Sequence, residues 1–193
     1  LLLPANEVTG GFFISSNGSS GAITSGKDSE IYVLAATRTN MKDRLNKKNW
    51  TIALTGSNTA NTEGTLLELT DDSVNDAPTA TPAGDRYNIV SGSDGTVVVA
   101  STVKTYGFYY PDQGVMVFSG AELSASMPGD DISINDTVVF KSGSQNGFGS
   151  TANQDLNYKS ALRFINCLTT TGGKLKFRDE EDQISTQYFC RAK

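Results

Sequence analysis

The sequence predicts a mainly β fold with one short helix (α+β), its strands arranged as an antiparallel meander or sandwich-like sheets. Three observations carry that reading. Small polar residues dominate: 20 Ser, 21 Thr, 14 Asn and 19 Gly make up 74 of the 193 residues. Threonine favours strands, whereas Gly, Asn and Ser favour turns. Clusters of valine, isoleucine and aromatic residues recur along the chain, which argues for a packed core rather than disorder. Two pairs of these clusters are joined by segments of recognisable turn chemistry.

Taken in order, residues 1–29 form a Gly/Ser-rich, loosely structured arm anchored by Phe12-Phe13-Ile14. Glu30 to Thr37 (EIYVLAAT) is apolar on both faces and suits a central strand. Met41 to Asn49 carries Lys42, Arg44, Lys47 and Lys48 and reads as a solvated turn rather than a basic partner face. Trp50, Ile52 and Leu54 alternate with small or polar neighbours, predicting a half-buried strand, and residues 65–70 (TLLELT) predict another. The Asp/Pro/Gly-rich stretch 71–86 reads as a long irregular loop and a boundary, separating a β-rich part at 30–86 from residues 87–193.

Beyond it, Tyr87–Val90 and Thr96–Val103 flank Ser91-Gly92-Ser93-Asp94-Gly95. Asp-Gly between apolar runs signals a hairpin, because both residues tolerate positive φ. Thr105–Tyr110 and Val115–Phe118 flank Pro111-Asp112-Gln113-Gly114, where proline presets φ and glycine closes the turn. Thr137–Lys141 suggests a further strand and Ser142–Ser150 a connector. Thr151-Ala152-Asn153-Gln154 fits a capping box. Ala161, Phe164, Ile165 and Leu168 then fall on one apolar helix face, Gly172-Gly173 ends the helix, and Lys174–Arg178 and Ile184–Cys190 form a strand pair.

Composition narrows the chemistry. The net charge of −5 makes the chain a poor fit to nucleic acid or an anionic membrane. No apolar run approaches the roughly 20 residues of a membrane-spanning helix. With no histidine, the commonest general base and metal ligand are missing. Two cysteines, Cys167 and Cys190, exclude a four-thiolate zinc site and read more simply as buried thiols than as a disulfide. Asp71, Asp72 and Asp76, or Asp130, Asp131 and Asp136, lack EF-hand spacing, so turn-forming aspartates explain them better than calcium. Asp112 and Glu122 are the acids to consider for a glycosidase, but nothing requires one. No nucleophile elbow and no phosphate loop is present. No catalytic, cofactor or metal residue is therefore expected, and no enzyme. The candidate contact residues are Tyr106, Phe108, Tyr109 and Tyr110, with Tyr188. Strand alternation puts Tyr106, Phe108 and Tyr110 on one face and Tyr109 on the other. Core packing is their ordinary use; a stacking platform for sugars is the alternative.

Two segments carry a resemblance. In Thr105–Leu123, Tyr106-Gly107, Tyr109, Tyr110-Pro111-Asp112 and Gly114 match one motif, a "YG-x-YYPD-x-G" hairpin. Near the C-terminus, Phe177, Glu180 or Glu181, Ser185 or Thr186, Tyr188-Phe189 and Arg191 match a strand pair. Both resemble large virion structural proteins of contractile-tailed bacteriophages, especially those infecting marine cyanobacteria. The resemblance covers residues 87–193. It implies a tail or baseplate component that acts by assembly with copies of itself and other virion proteins. A receptor- or glycan-binding module acting on host-surface glycans, and a capsid decoration protein, are the alternatives. The lack of an initiator methionine and the stop at Lys193 suggest a portion of a longer polypeptide.

Overall fold

The computed structural model describes residues 12, 14, 28, 31–41, 43–54, 66–99, 103–123, 132–134, 138–140, 161, 164, 165, 167–169 and 172–178. The fold is mostly β, as the sequence predicts, and its antiparallel sheet curls into a half-barrel. Its strands are β1 (Ile31–Ala35), β2 (Trp50–Leu54), β3 (Leu67–Asp71), β4 (Thr79–Thr81), β5 (Gly84–Ser93), β6 (Thr96–Val97), β7 (Thr105–Tyr110), β8 (Val115–Ser119) and β11 (Lys174–Phe177). They pair in the order β1-β8-β7-β5-β3-β2-β11, with β4 and β6 on the ends of β5. Strands β2, β3, β5, β7 and β8 thus form a meander, and one strand from near each end of the described chain is added at its flanks. A separate pair joins β9 (Ile132–Ile134) to β10 (Val138–Phe140).

Both predicted turns form, but among the described residues the expected strand at Thr96–Val103 is strand only over Thr96–Val97, and Tyr87–Val90 pairs with β7 and β3 instead. Ser93 pairs with Thr96 across the two-residue turn Asp94-Gly95, whose φ values are +49° and +78°. Two successive positive φ values match the right-handed twist of the flanking strands. In the second hairpin Tyr110 pairs with Val115, and the Gly114 amide donates to the Pro111 carbonyl at 3.1 Å. The stretch 71–86 is not one long loop: it holds the end of β3, all of β4 and the start of β5. Residues on both sides of position 86 share one sheet, because β5 runs through the expected boundary.

Two strands depart from expectation. β1 is not central; it ends the sheet among the described strands, with Ile31 and Val33 exposed on the side away from the main core. β2 is not half-buried; all five of its residues are buried. The reason lies in the β5–β6 hairpin, whose tip folds over the side of β2 carrying Thr51.

The main core lies on one side of the sheet. Trp50, Ile52, Leu69, Ile89, Tyr109 and Phe118 contribute large side chains, and Leu123, Phe164 and Cys167 close it. Phe164 stacks on Tyr32 at 5.1 Å between ring centroids. Residues 161, 164, 165 and 167–169 are helical, in the predicted region. The buried face there is Phe164, Cys167 and, in part, Leu168; Ala161 and Ile165 are exposed, so the apolar face is rotated from the predicted one. A smaller cluster on the other side of the sheet joins Ile14, Phe108, Tyr110 and Val117, with Phe12 against it. The arm is therefore anchored at Ile14 and Phe12. Directly after β8, the one-turn helix α1 (Gly120–Leu123) begins on Ser119, whose Oγ accepts from the Glu122 amide at 3.2 Å. No helix among the described residues is long and apolar enough to cross a membrane. The capping box at 151–154, the connector at 142–150, the strand at 184–190, Cys190 and Asp130, Asp131 and Asp136 lie outside the described residues.

Candidate functional site

The four candidate aromatic residues of β7 are all buried. They do not divide as simple alternation predicts. Ile89 of β5 pairs with Gly107, but Val90 pairs with Thr105, so Tyr106 is an extra residue in a β-bulge. The bulge turns Tyr106 to the main core beside Tyr109, and leaves Phe108 and Tyr110 on the other side. Glycine at 107 is what lets the strands approach there: a Cβ would lie 2.2 Å from the Val117 carbonyl oxygen. Each aromatic residue has a defined use. The Tyr109 ring meets Trp50 edge-on at 5.4 Å, and its hydroxyl donates to the Leu45 and Asn46 carbonyls at 2.9 and 3.3 Å. Burial pushes the Tyr109 hydroxyl far up from its ordinary pKa, and raises that of Tyr110 too. Arg86 stacks over Phe108 and Lys104 over Tyr106. The β7 tyrosines are thus core and scaffold groups, and present no open face to a sugar. Tyr188 lies outside the described residues.

The densest polar constellation lies instead at the β11 end of the sheet, and sequence reasoning missed it. Asp94, at the tip of the β5–β6 hairpin, is its hub. The amide of Asp94 donates to Thr51 Oγ1 at 2.9 Å, and that hydroxyl lies 3.1 Å from Asp94 Oδ1 and 3.0 Å from Ser93 Oγ. The next amide, Gly95, donates to Thr70 Oγ1 at 2.8 Å, and Thr70 donates onward to the Trp50 carbonyl at 3.1 Å. Two buried threonines therefore hold the turn onto the sheet. From β11, Lys176 Nζ and Arg178 Nη2 each sit 2.7 Å from Asp94 Oδ2. The Lys176 ammonium holds the Asp94 carboxyl below the usual carboxylate range, against the opposing effect of burial. Lys174 reaches Glu68 of β3 at 2.7 Å. On the opposite side of β11, Phe177 stacks on Trp50 at 6.2 Å and keeps much of its ring in solvent. The signal available in the sequence was the Lys-x-Lys-x-Arg alternation of 174–178, whose partners lie more than 80 positions away.

Beside this constellation is an open cleft of about 340 Å³, lined by Thr39, Asn40, Met41, Arg44, Leu45 and Asn46, with Phe177 and Arg178 opposite. The Tyr109 hydroxyl holds the lining backbone at Leu45 and Asn46, and the Leu45 amide donates to the Pro111 carbonyl at 3.1 Å. Arg44 is exposed and makes no ion pair among the described residues. Part of the basic stretch expected to be a solvated turn, Arg44 to Asn46, thus lines a cleft together with Phe177 and Arg178.

The acidic residues read differently. Asp72 accepts from the amide and the side-chain nitrogen of Asn88 at 3.0 and 2.7 Å, and its carbonyl accepts from the Asn75 and Asp76 amides. Burial raises its pKa above the ordinary value despite those bonds. Asp71 accepts from the Lys48 amide at 2.8 Å. These are turn and strand-end contacts, and no group of three metal-ligating side chains occurs among the described residues. Glu122 is buried and paired with Lys104 at 2.6 Å; Asp112 is exposed on the β7–β8 turn. Ser119-x-x-Glu122 is a capping-box pattern in the sequence, and its serine half is realised here.

No protein-family model, no curated protein and no solved structure matches this chain.

Proposed function

We propose that this protein is a structural component of a bacteriophage virion, in the tail or baseplate, and that it acts by assembly with copies of itself and other virion proteins. The observation that supports assembly is where the exposed apolar side chains fall. Ile31 and Val33 lie on β1 and Leu175 and Phe177 on β11, the two strands that end the described sheet. Valine 33 is 56% exposed and Leu175 47%. Sheet ends are where chains pair with chains, and apolar residues there favour a neighbour over water. The placement in a virion comes from the hairpin and C-terminal motifs. Mass spectrometry of purified particles, dissociated into heads, tails and baseplates, tests it. Peptides from Thr105–Glu122 in the tail or baseplate fraction are the expected result. Their confinement to heads would move the protein to a decoration role, and their absence from every fraction would end the reading.

A second reading is supported by the cleft. A half-exposed Phe177 ring in the same cleft as the exposed Arg44 suits a sugar bearing carboxylates: the ring packs on the sugar face and Arg44, unlike the Asp94-paired Arg178, takes the carboxylate. Host-surface glycan binding therefore belongs to this cleft rather than to β7. It predicts saturable binding of uronate-containing oligosaccharides that Arg44→Ala removes, with the far-UV circular dichroism unchanged. No binding across an acidic-glycan panel would sink it.

A further inference from the structure

We propose that β11 is an exchangeable strand, which leaves its own sheet and pairs with β2 of a second copy. The inference rests on the assembly reading above and names its partner and the segment that makes the contact.

Four features of the structure converge on it. First, β11 is joined to a strand of opposite character. All four of its residues are exposed, whereas all five of β2 are buried. The elements that open first are those with few buried contacts, and β11 is such an element. Second, what holds β11 is screened by water on one side and half-exposed on the other. Lys174–Glu68, Lys176–Asp94 and Arg178–Asp94 are ion pairs whose basic partners are all more than a third exposed, and the Phe177–Trp50 stack has an open face. One carboxylate, Asp94, serves two of the three pairs.

Third, the recognition code travels with the strand. The register runs Lys174↔Ala53, Leu175↔Ile52, Lys176↔Thr51 and Phe177↔Trp50, and the Arg178 amide adds a bond to the Asn49 carbonyl at 2.7 Å. A β11 from a second copy brings the same three cations to the same Glu68 and Asp94. Fourth, the two residues directly before β11 are both glycine. Gly172 sits at φ +93°, and a Cβ on Gly173 would lie 2.5 Å from the Cys167 carbonyl oxygen. Glycines directly before the strand give it a pivot, and hinge segments are where identical elements are exchanged between protomers.

Paired cysteines in the full chain test this. Ala53→Cys in one chain and Lys174→Cys in another occupy facing register positions and leave the Asp94 constellation intact. The two chains are mixed and oxidised, and cross-links are mapped by peptide mass spectrometry, which separates the 53–174 bond from any bond of Cys167 or Cys190. The double variant in one chain is the control. The expected result is a 53–174 bond between chains, forming several-fold faster when Asp94→Asn is added or salt is raised. A control that closes within the chain while no bond forms between chains overturns the proposal. So does a control that forms the 53–174 bond neither within nor between chains, because the strand pairing itself is then absent. A chain that associates in sedimentation without the interchain bond refutes strand exchange alone; a chain that does neither refutes the assembly reading as well.

Discussion

Thr51 and Thr70 do for the Asp94-Gly95 turn what a ladder partner does for a strand: each accepts a backbone N–H that would otherwise be buried without one. Leaving such a donor unsatisfied costs about 1–3 kcal/mol. Thr51→Val, which keeps the shape and removes the oxygen, is expected to destabilise the chain by about that amount in urea titration. Trp50 is the sole tryptophan and reports the transition. Tyr109 separates two effects. Tyr109→Phe removes only the bonds to the 45 and 46 carbonyls and should cost about 1 kcal/mol. Tyr109→Ala empties a fully buried site and should cost about 3–5 kcal/mol. It is therefore a stability variant rather than a clean probe of glycan binding. The acid side of the stability profile carries two opposed groups. The folded Asp94 carboxyl lies below its unfolded value of about 3.9, so its contribution is present above that pH and is lost as pH falls through the lower folded value. Asp72, raised in the fold, contributes in the opposite sense, and its share fades as pH rises through the raised value. Asp94→Asn should therefore lower stability at neutral pH and flatten the fall below about pH 4, measured as urea midpoints against pH.

At the scale of elements, what was legible in the sequence was local. Asp94-Gly95 and Pro111-x-x-Gly114 encode their turns in a few φ angles, and both turns form where the sequence places them. Gly95→Ala tests how strictly the first is encoded: with φ at +78° and Lys48 atoms 2.4 Å from a new Cβ, the variant should lose more than about 1 kcal/mol by the same titration. What was not legible depends on partners distant in sequence. The bulge at Tyr106 arises from the pairing of β7 with β5, and reverses the face of one residue that alternation alone assigns. Strand β2 reads as half-buried because its polar side is covered by a hairpin tip more than 40 positions away. Strand β1 reads as central because it is apolar on both sides, but one of those sides meets solvent. The apolar helical face shifts from Ile165 to Cys167 because packing, not periodicity alone, chooses which side faces Tyr32 and Phe118. The candidate site was illegible for the same reason, since Asp94, Lys176 and Arg178 converge only once β11 lies beside β2.

For the whole molecule, a meander whose terminal strands carry exposed apolar residues is a protein suited to having neighbours. The chain is acidic overall, yet Arg44 and Arg178 line one cleft beside β11. The proposed contacts between copies through these ends need no catalytic group and would account for the exposed Val33 and Leu175. The most direct measurement is sedimentation velocity over a rising concentration series, comparing the native chain with a Val33→Lys, Leu175→Lys variant. Both positions are exposed, so the substitutions should change stability by no more than about 0.5 kcal/mol each. The account predicts association that grows with concentration in the native chain and disappears in the variant, with Trp50 emission unchanged. A native chain that stays monomeric throughout, and unfolds in one cooperative step, would contradict it.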